Sequence, residues 1–245
     1  MNKGIIILGS AASGKSYFEK ELYDYLYNIK YKHEFRVNPD FYVEDEDSKF
    51  YNNPIAASNY VYKTIIPEII ELNSNFILQN TGANTKTLRK IIDTPNYQFK
   101  AVVVYCNPII AFIRNFSRER KLPKQILLEN WLKVYSQIKD YQDIFGEDNI
   151  YIYETEYTPE EITILSFYNT FNNFLINNPG AYDSTFKKIG TNYSKEELLK
   201  RELKLNGLIT QVDNKLKDFN KNNNFLTPVG VSKEYIKEEL NKWIN

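Results

Sequence analysis

Cysteine is almost missing from this chain. One Cys106 in 245 residues excludes an internal disulfide and a cysteine-based zinc site. It sits at the end of an apolar run and reads as a small buried hydrophobe. Histidine is as scarce: the single His33 leaves no basis for a serine–histidine–aspartate array or a histidine zinc centre, and reads as structural. No apolar run approaches the roughly 18 residues of a membrane span. The start, MNKGIIILGS, has an apolar run too short for a signal segment, so a cytoplasmic location is the default expectation. Neither sign of charge prevails. Thirty-one basic and 31 acidic residues cancel, so there is no global basic excess for coating a polyanion, although a local basic groove remains open.

What is present is ordinary globular material, 42% hydrophobic and 25% charged, enough for one sizeable domain with a smaller appendage. The 20 Tyr and 15 Phe suit a core with many boundary positions, because tyrosine buries its ring and keeps its hydroxyl wet. Short apolar runs predict strands at Gly4–Leu8, Glu34–Val37, Asn75–Gln79, Phe99–Cys106 and Asn149–Tyr153. Apolar residues at three- and four-residue steps predict helices over Ser16–Tyr31, 56–72, Asn84–Ile92, Pro108–Arg118, Lys124–Tyr141 and 159–177. In the 56–72 helix, Tyr60, Thr64, Ile65 and Ile69 share one side. Strands alternating with helices imply parallel pairing, and near-continuous apolar strands imply cover on both faces. The expectation is a three-layer α/β domain over residues 1–178 and a helical C-terminal appendage over 179–245. In the appendage, Ser194 and Glu197 form a capping box for a helix that stops at Gly207, and Ser232 opens a last helix. Residues 195–245 carry 10 basic and 8 acidic residues, the mixture of a solvated face. Trp131 and Trp243 read as packing anchors.

The chemistry starts after the first strand. Gly9-Ser10-Ala11-Ala12-Ser13-Gly14-Lys15-Ser16 fits G-x-x-x-x-G-K-[ST], with the required strand before it and helix after it. Its small residues let backbone amides wrap phosphate oxygens at a helix N-terminus. Lys15 would reach the β- and γ-phosphates and Ser16 would put its hydroxyl on Mg²⁺. Residues 9–16, with the adjoining Tyr17, are the candidate nucleotide contacts. No N-K-x-D run supports a guanine-specific GTPase, and Gln79 stands where motor-type ATPases place an acid. Both features favour small P-loop kinases.

Asp40, in RVNPDFYVEDED, leaves the second strand at the carboxyl edge of the sheet, where open α/β sheets bind ligands. A carboxylate there can take the proton of an attacking hydroxyl; a Pro-Asp turn with its acid in water is the alternative. Glu44 to Asp47 read as a solvated loop. Arg114 and Arg118 share a helix face and Arg120 follows, so three guanidiniums stand within seven residues. They are candidates to neutralise a transferring phosphoryl group, or else scattered charge on a surface helix. Tyr42, Tyr51 and Tyr60 lie where a substrate would pass.

Together the phosphate loop, VNPD, NFILQNTGAN and VVVYCNPIIAFIRNFSRERKLP resemble the zeta-toxin-like group of P-loop kinases in order and spacing over roughly residues 1–155. Phage-encoded kinases of nucleic-acid 5′-ends or hydroxymethylated bases share the pattern. The resemblance implies a five-stranded parallel sheet ordered 2-3-1-4-5. It also implies ATP or GTP as donor, Mg²⁺, a hydroxyl acceptor such as a nucleotide-sugar, nucleoside or related metabolite, and an antitoxin-like protein as a possible partner. It places the general base on Asp40 and phosphoryl-stabilising arginines on Arg118 and Arg120. The chain departs from the group at Gln79-Asn80-Thr81, where many members carry an acid; these three residues are candidates to hydrogen-bond the acceptor. A nucleotide-binding module without transfer activity is the reading from a different class.

Overall fold

The first strand, β1 (Asn2–Leu8), is apolar on both faces, and it lies at the centre of a parallel sheet ordered β2-β3-β1-β4-β5. The other strands are β2 (Phe35–Val37), β3 (Phe76–Gln79), β4 (Tyr97–Tyr105) and β5 (Ile150–Glu154). The computed structural model describes residues 1–28, 35–118, 121–177, 200, 203–204, 206–215 and 231–244. His33, Arg120 and the Ser194–Glu197 capping box lie outside the described residues.

Alternation along β1 sorts the two layers. Ile5 and Ile7 face helix α1 (Lys15–Asn28) through Phe18, Leu22 and Leu26. Ile6 and Leu8 face the opposite layer, where Leu88, Trp131, Tyr135 and Tyr141 are buried. The expected five-stranded three-layer fold is therefore present. Its order puts β1 between strands reached in opposite directions, the switch point at which open sheets bind ligands.

The connections carry the functional residues. After β2 comes the short α2 (Asp40–Glu44), then α3 (Pro54–Tyr60), a π-turn (Val61–Ile65) and α4 (Ile66–Glu71). After β3 comes α5 (Thr85–Ile92), and after β4 come α6 (Pro108–Phe116), α7 (Lys124–Tyr135) and α8 (Ile138–Phe145). Helix α9 (Pro159–Asn177) follows β5. Asparagine is common because it works at the ends of these elements. Asn53, Asn84 and Asn107 cap α3, α5 and α6 through their side chains, each cap stabilising by about 1 kcal/mol. Asn52, Asn73 and Asn96 hold positive φ in turns.

Three expectations are corrected. Residues 56–72 are not one regular helix. The amide of Ile66 reaches back five residues to Val61 O, and Pro67, with no N–H, follows directly, so the ladder widens by one residue. The buried face becomes Ala57, Val61, Ile66 and Ile69 in place of the Tyr60, Thr64, Ile65 and Ile69 stripe. The single helix Lys124–Tyr141 is two helices broken at Ser136-Gln137, and the break lets Tyr141 Oη donate to Val134 O at 3.0 Å. Gly207 does not stop a helix: residues 206–215 are helical. Gly207 is absent from the positive-φ glycines, so it lacks the left-handed conformation of a glycine C-cap.

The described parts of the tail keep the expected solvated face and bury a few apolar side chains. Val212 is buried in the layer of α7 and α8. Ile236 and Leu240, on the C-terminal helix (Lys233–Ile244), are buried against α1 and the sheet. Ser232 Oγ accepts from the Tyr235 amide at 3.2 Å, as its capping role requires. Among the described residues no helix is long and apolar enough to cross a membrane.

Candidate active site

The glycines of the loop after β1 are there for space. A Cβ on Gly9 (φ +153°) would stand 2.5 Å from Val104 O, and one on Gly14 (φ +93°) would stand 2.9 Å from Thr155 Oγ1. The first contact is with backbone and would force the loop to shift, the second crowds the Thr155 side chain, and both φ values are strained for any other residue. Below the loop, Tyr135 Oη donates to Val104 O at 2.7 Å and accepts from the Ser10 amide at 3.2 Å. Cys106 also lies under it, with Sγ 3.9 Å from Ala12 O. Burial pushes its thiol up to about 12, which makes it unreactive. The folded protein is therefore expected to resist alkylation by iodoacetamide at mildly alkaline pH while the urea-unfolded chain reacts. Intact mass reads the difference, and native-state labelling would show that the loop opens.

The loops at the carboxyl ends of β1, β2, β3 and β4 surround a cleft of about 720 Å³. Ala11 to Tyr17 form one wall, and Asp40, Gln79, Asn80, Thr81, Arg114 and Arg118 complete much of the rest. Of the candidate residues, Gly9 and Ser10 support the loop from beneath, and Arg120 lies outside the described residues. Tyr42, Tyr51 and Tyr60 do not line the cleft: Tyr42 and Tyr60 pack edge-on against each other and Tyr51 is exposed. The other nucleotide, base, arginine and acceptor candidates share this one cavity. Glu44 joins them at the rim, and Glu44 to Asp47 are exposed, as a solvated segment should be.

Lys15 is buried, and its Nζ donates to Ser10 O at 2.6 Å. Burial pushes its pKa down to about 8, offset by the nearby Asp40 carboxylate and reinforced by the Arg118 guanidinium. One ammonium thus feels the candidate base and the candidate arginine together. Asp40 begins α2, and its amide donates to Asn38 Oδ1 at 2.9 Å. The strand before it is braced by Arg36, whose guanidinium grips the buried Glu19 of α1 through two 2.6 Å bonds.

Arg114 is held from several sides. It donates to Glu161 at 2.7 and 2.9 Å, to Thr155 Oγ1 at 3.2 Å and to Glu156 O at 2.7 Å. Its guanidinium keeps the Glu161 carboxyl below the usual carboxylate range. This clamp fastens the loop after β5 against Gly14, so Arg114 is a brace for the phosphate loop.

Gln79 Nε2 donates to Ser16 Oγ at 2.9 Å, and Gln79 Oε1 accepts from Asn38 Nδ2 at 2.9 Å. Asn80 Nδ2 donates to Tyr62 Oη, and Asn80 Oδ1 accepts from the Gly82 amide at 2.6 Å. Since that backbone N–H fixes the Asn80 amide, Tyr62 Oη is the acceptor of this pair and keeps its own proton to donate elsewhere. Sequence reasoning missed Asn38, Ser58, Tyr62 and Asn130 as lining residues. Asn38 stood in the VNPD run beside Asp40 and could have been weighed. Tyr62 lies within the π-turn, which shifts the helix phase, and Ser58 and Asn130 reach the cleft only through the packing of α3 and α7.

For Mg²⁺ the candidate donor is the Ser16 hydroxyl, in a cleft also lined by Asp40 and Glu44. Among the described residues no group of three or more His, Cys, Asp or Glu could hold a metal. A single protein hydroxyl is compatible with Mg²⁺, which keeps its waters and relies on substrate phosphates. The bound ion would neutralise charge on the β- and γ-phosphates.

No family model matches the chain, and no curated protein matches it. Solved structures do. A chain of the PezAT chromosomal toxin–antitoxin system of Streptococcus pneumoniae is 12% identical, covering 72% of this chain and 88% of that one at a TM-score of 0.43. Shikimate kinase from Acinetobacter baumannii is 14% identical over 73% of this chain and 96% of its own, TM-score 0.38. The sulfotransferase domain of the Synechococcus PCC 7002 olefin synthase is 17% identical over 62% and 66%, TM-score 0.38. Likenesses this distant leave function to be argued from the cleft itself.

Proposed function

We propose that the cleft is the active site of a P-loop kinase that transfers the γ-phosphoryl group of ATP or GTP to a hydroxyl of a small molecule. The observation that carries this is that Asp40 and Arg118 line the same cavity as Lys15 and the phosphate loop, where both charges bear on the ammonium. A nucleotide-binding module needs the loop and Lys15 but has no use for a carboxylate facing the phosphate end. A kinase needs all three. Lys15 and the loop amides hold the donor, Ser16 meets Mg²⁺, Asp40 takes the proton of the attacking hydroxyl, and Arg118 steadies the charge that spreads over the phosphoryl oxygens. Ser58, Tyr62, Asn80 and Thr81 offer neutral hydrogen-bonding groups to an acceptor with several hydroxyls, such as a sugar or nucleoside.

The test is Mg²⁺-dependent transfer of labelled γ-phosphate into a metabolite extract, with DNA and RNA assayed in parallel. Label in small molecules is expected. Label in nucleic acid would make the acceptor a 5′-end or a modified base. Nucleotide binding without transfer to any acceptor would leave a binding module. Asp40→Asn should lower kcat about 10²-fold with nucleotide affinity unchanged by calorimetry. Near-full kcat in that variant would remove Asp40 from the role of base.

A further inference from the structure

Two buried amides connect the candidate base to the candidate metal ligand. Asn38 and Gln79 are 5% and 4% exposed. Val37 lies opposite Leu78 in the β2–β3 register, and Gln79 lies opposite Ile7 of β1. Asn38 and Gln79 therefore both follow the Val37–Leu78 pair at one edge of the sheet, directly beside the phosphate loop. The Asp40 amide donates to Asn38 Oδ1, Asn38 Nδ2 donates to Gln79 Oε1, and Gln79 Nε2 donates to Ser16 Oγ, each at 2.9 Å.

The direction of this chain is fixed at one end. Side-chain amides can turn over, but a backbone N–H can only donate. It holds Asn38 Oδ1 towards Asp40, which turns Asn38 Nδ2 to Gln79, which in turn presents its own N–H₂ to Ser16. Ser16 Oγ is thereby an acceptor on this side. A carboxylate at position 79 would do the reverse: it would take the Ser16 proton, leave both lone pairs for a cation and add a negative charge beside it. Here one lone pair is taken, and the positive end of an amide dipole faces the metal position.

We propose that Asn38 and Gln79 are positioning residues that set the hydrogen-bond polarity of Ser16 and make it a weak metal ligand, so that the divalent ion enters only with the nucleotide phosphates. The inference rests on the reading of the loop as a nucleotide site with Ser16 on the metal.

Calorimetric titration of an unhydrolysable ATP analogue, with Mg²⁺ and with EDTA, tests it in three variants. In Q79E the carboxylate accepts from Asn38 and from Ser16. In N38D the new carboxylate still accepts from the Asp40 amide but cannot donate, so the Gln79 amide turns over and Ser16 becomes the donor. Each should enlarge the Mg²⁺-dependent gain in affinity about five-fold, because a charged or reversed acceptor binds the hydroxyl proton and frees its lone pairs. Q79M removes the donor to Ser16 without adding charge and should enlarge the gain about two-fold. Wild-type Mg²⁺ dependence in all three variants would overturn the proposal. So would a gain in Q79E and N38D with none in Q79M, which would reduce the effect to added charge. Failure of the wild type to bind the analogue even in EDTA would instead remove the nucleotide reading on which the proposal stands.

Discussion

Lys15→Met is expected to lower kcat/KM for phosphoryl transfer by about 10³-fold, the loss typical of a preorganised electrostatic group at a transferring centre. The same substitution should leave the ligand-free protein at least as stable as wild type, because the lysine is buried at a cost. Its pKa of about 8 lies below its ordinary 10.5, so the folded chain disfavours the charged form. Between these values the unfolded chain holds the proton and the folded chain has released it, so stability rises as pH climbs from about 8 towards 10.5. Nucleotide affinity should move the other way in the same window, since neutral Lys15 no longer attracts the phosphates. Thermal midpoint and analogue affinity measured against pH should therefore show opposite slopes in wild type. The contribution of Lys15 to each slope should vanish in Lys15→Met. A variant that keeps its transfer rate would take Lys15 away from the phosphates.

Much of this site is legible in the chain because its signals are local. Gly9 to Ser16 carry their meaning within eight residues, and the strand and helix they require adjoin them. Asp40 was legible for a related reason: a strand that ends in Asn-Pro-Asp delivers its acid to the edge where ligands bind. The amide pair was not legible. Asn38 and Gln79 stand 41 positions apart, and only the β2-β3 adjacency makes them neighbours. In the sequence Gln79 reads as a missing acid; in the fold it is a donor whose direction is set from Asp40. Tyr62 was hidden by phase. The π-turn before Pro67 rotates the helix surface by one residue, so a regular 3.6-residue period places the wrong side chains on the buried face. Arg114 looked equivalent to Arg118 by spacing, yet Glu161 on α9 draws it into a clamp.

The largest stability effect is expected at Trp131, which does not itself line the cleft. Trp131→Ala should destabilise the fold by about 3–5 kcal/mol, lowering the thermal midpoint by roughly 10 °C in a protein of this size. The ring is 1% exposed, its Nε1 donates to Cys106 O at 2.8 Å, and it packs edge-on against Tyr135 with centroids 5.0 Å apart. Truncation opens a cavity and also strands the Cys106 carbonyl, while Trp131→Phe should cost less by keeping most of the volume. The effect should reach the cleft, because Tyr135 bonds the Ser10 amide and Val104 O and so ties the phosphate loop to β4. Tyr135→Phe removes that tie with little loss of volume. It should therefore weaken analogue binding more, relative to its stability cost, than Trp131→Phe does. If both phenylalanine variants lose affinity only in step with their melting points, the aromatic layer supports the fold alone and the loop holds its shape from its own glycines and from α1.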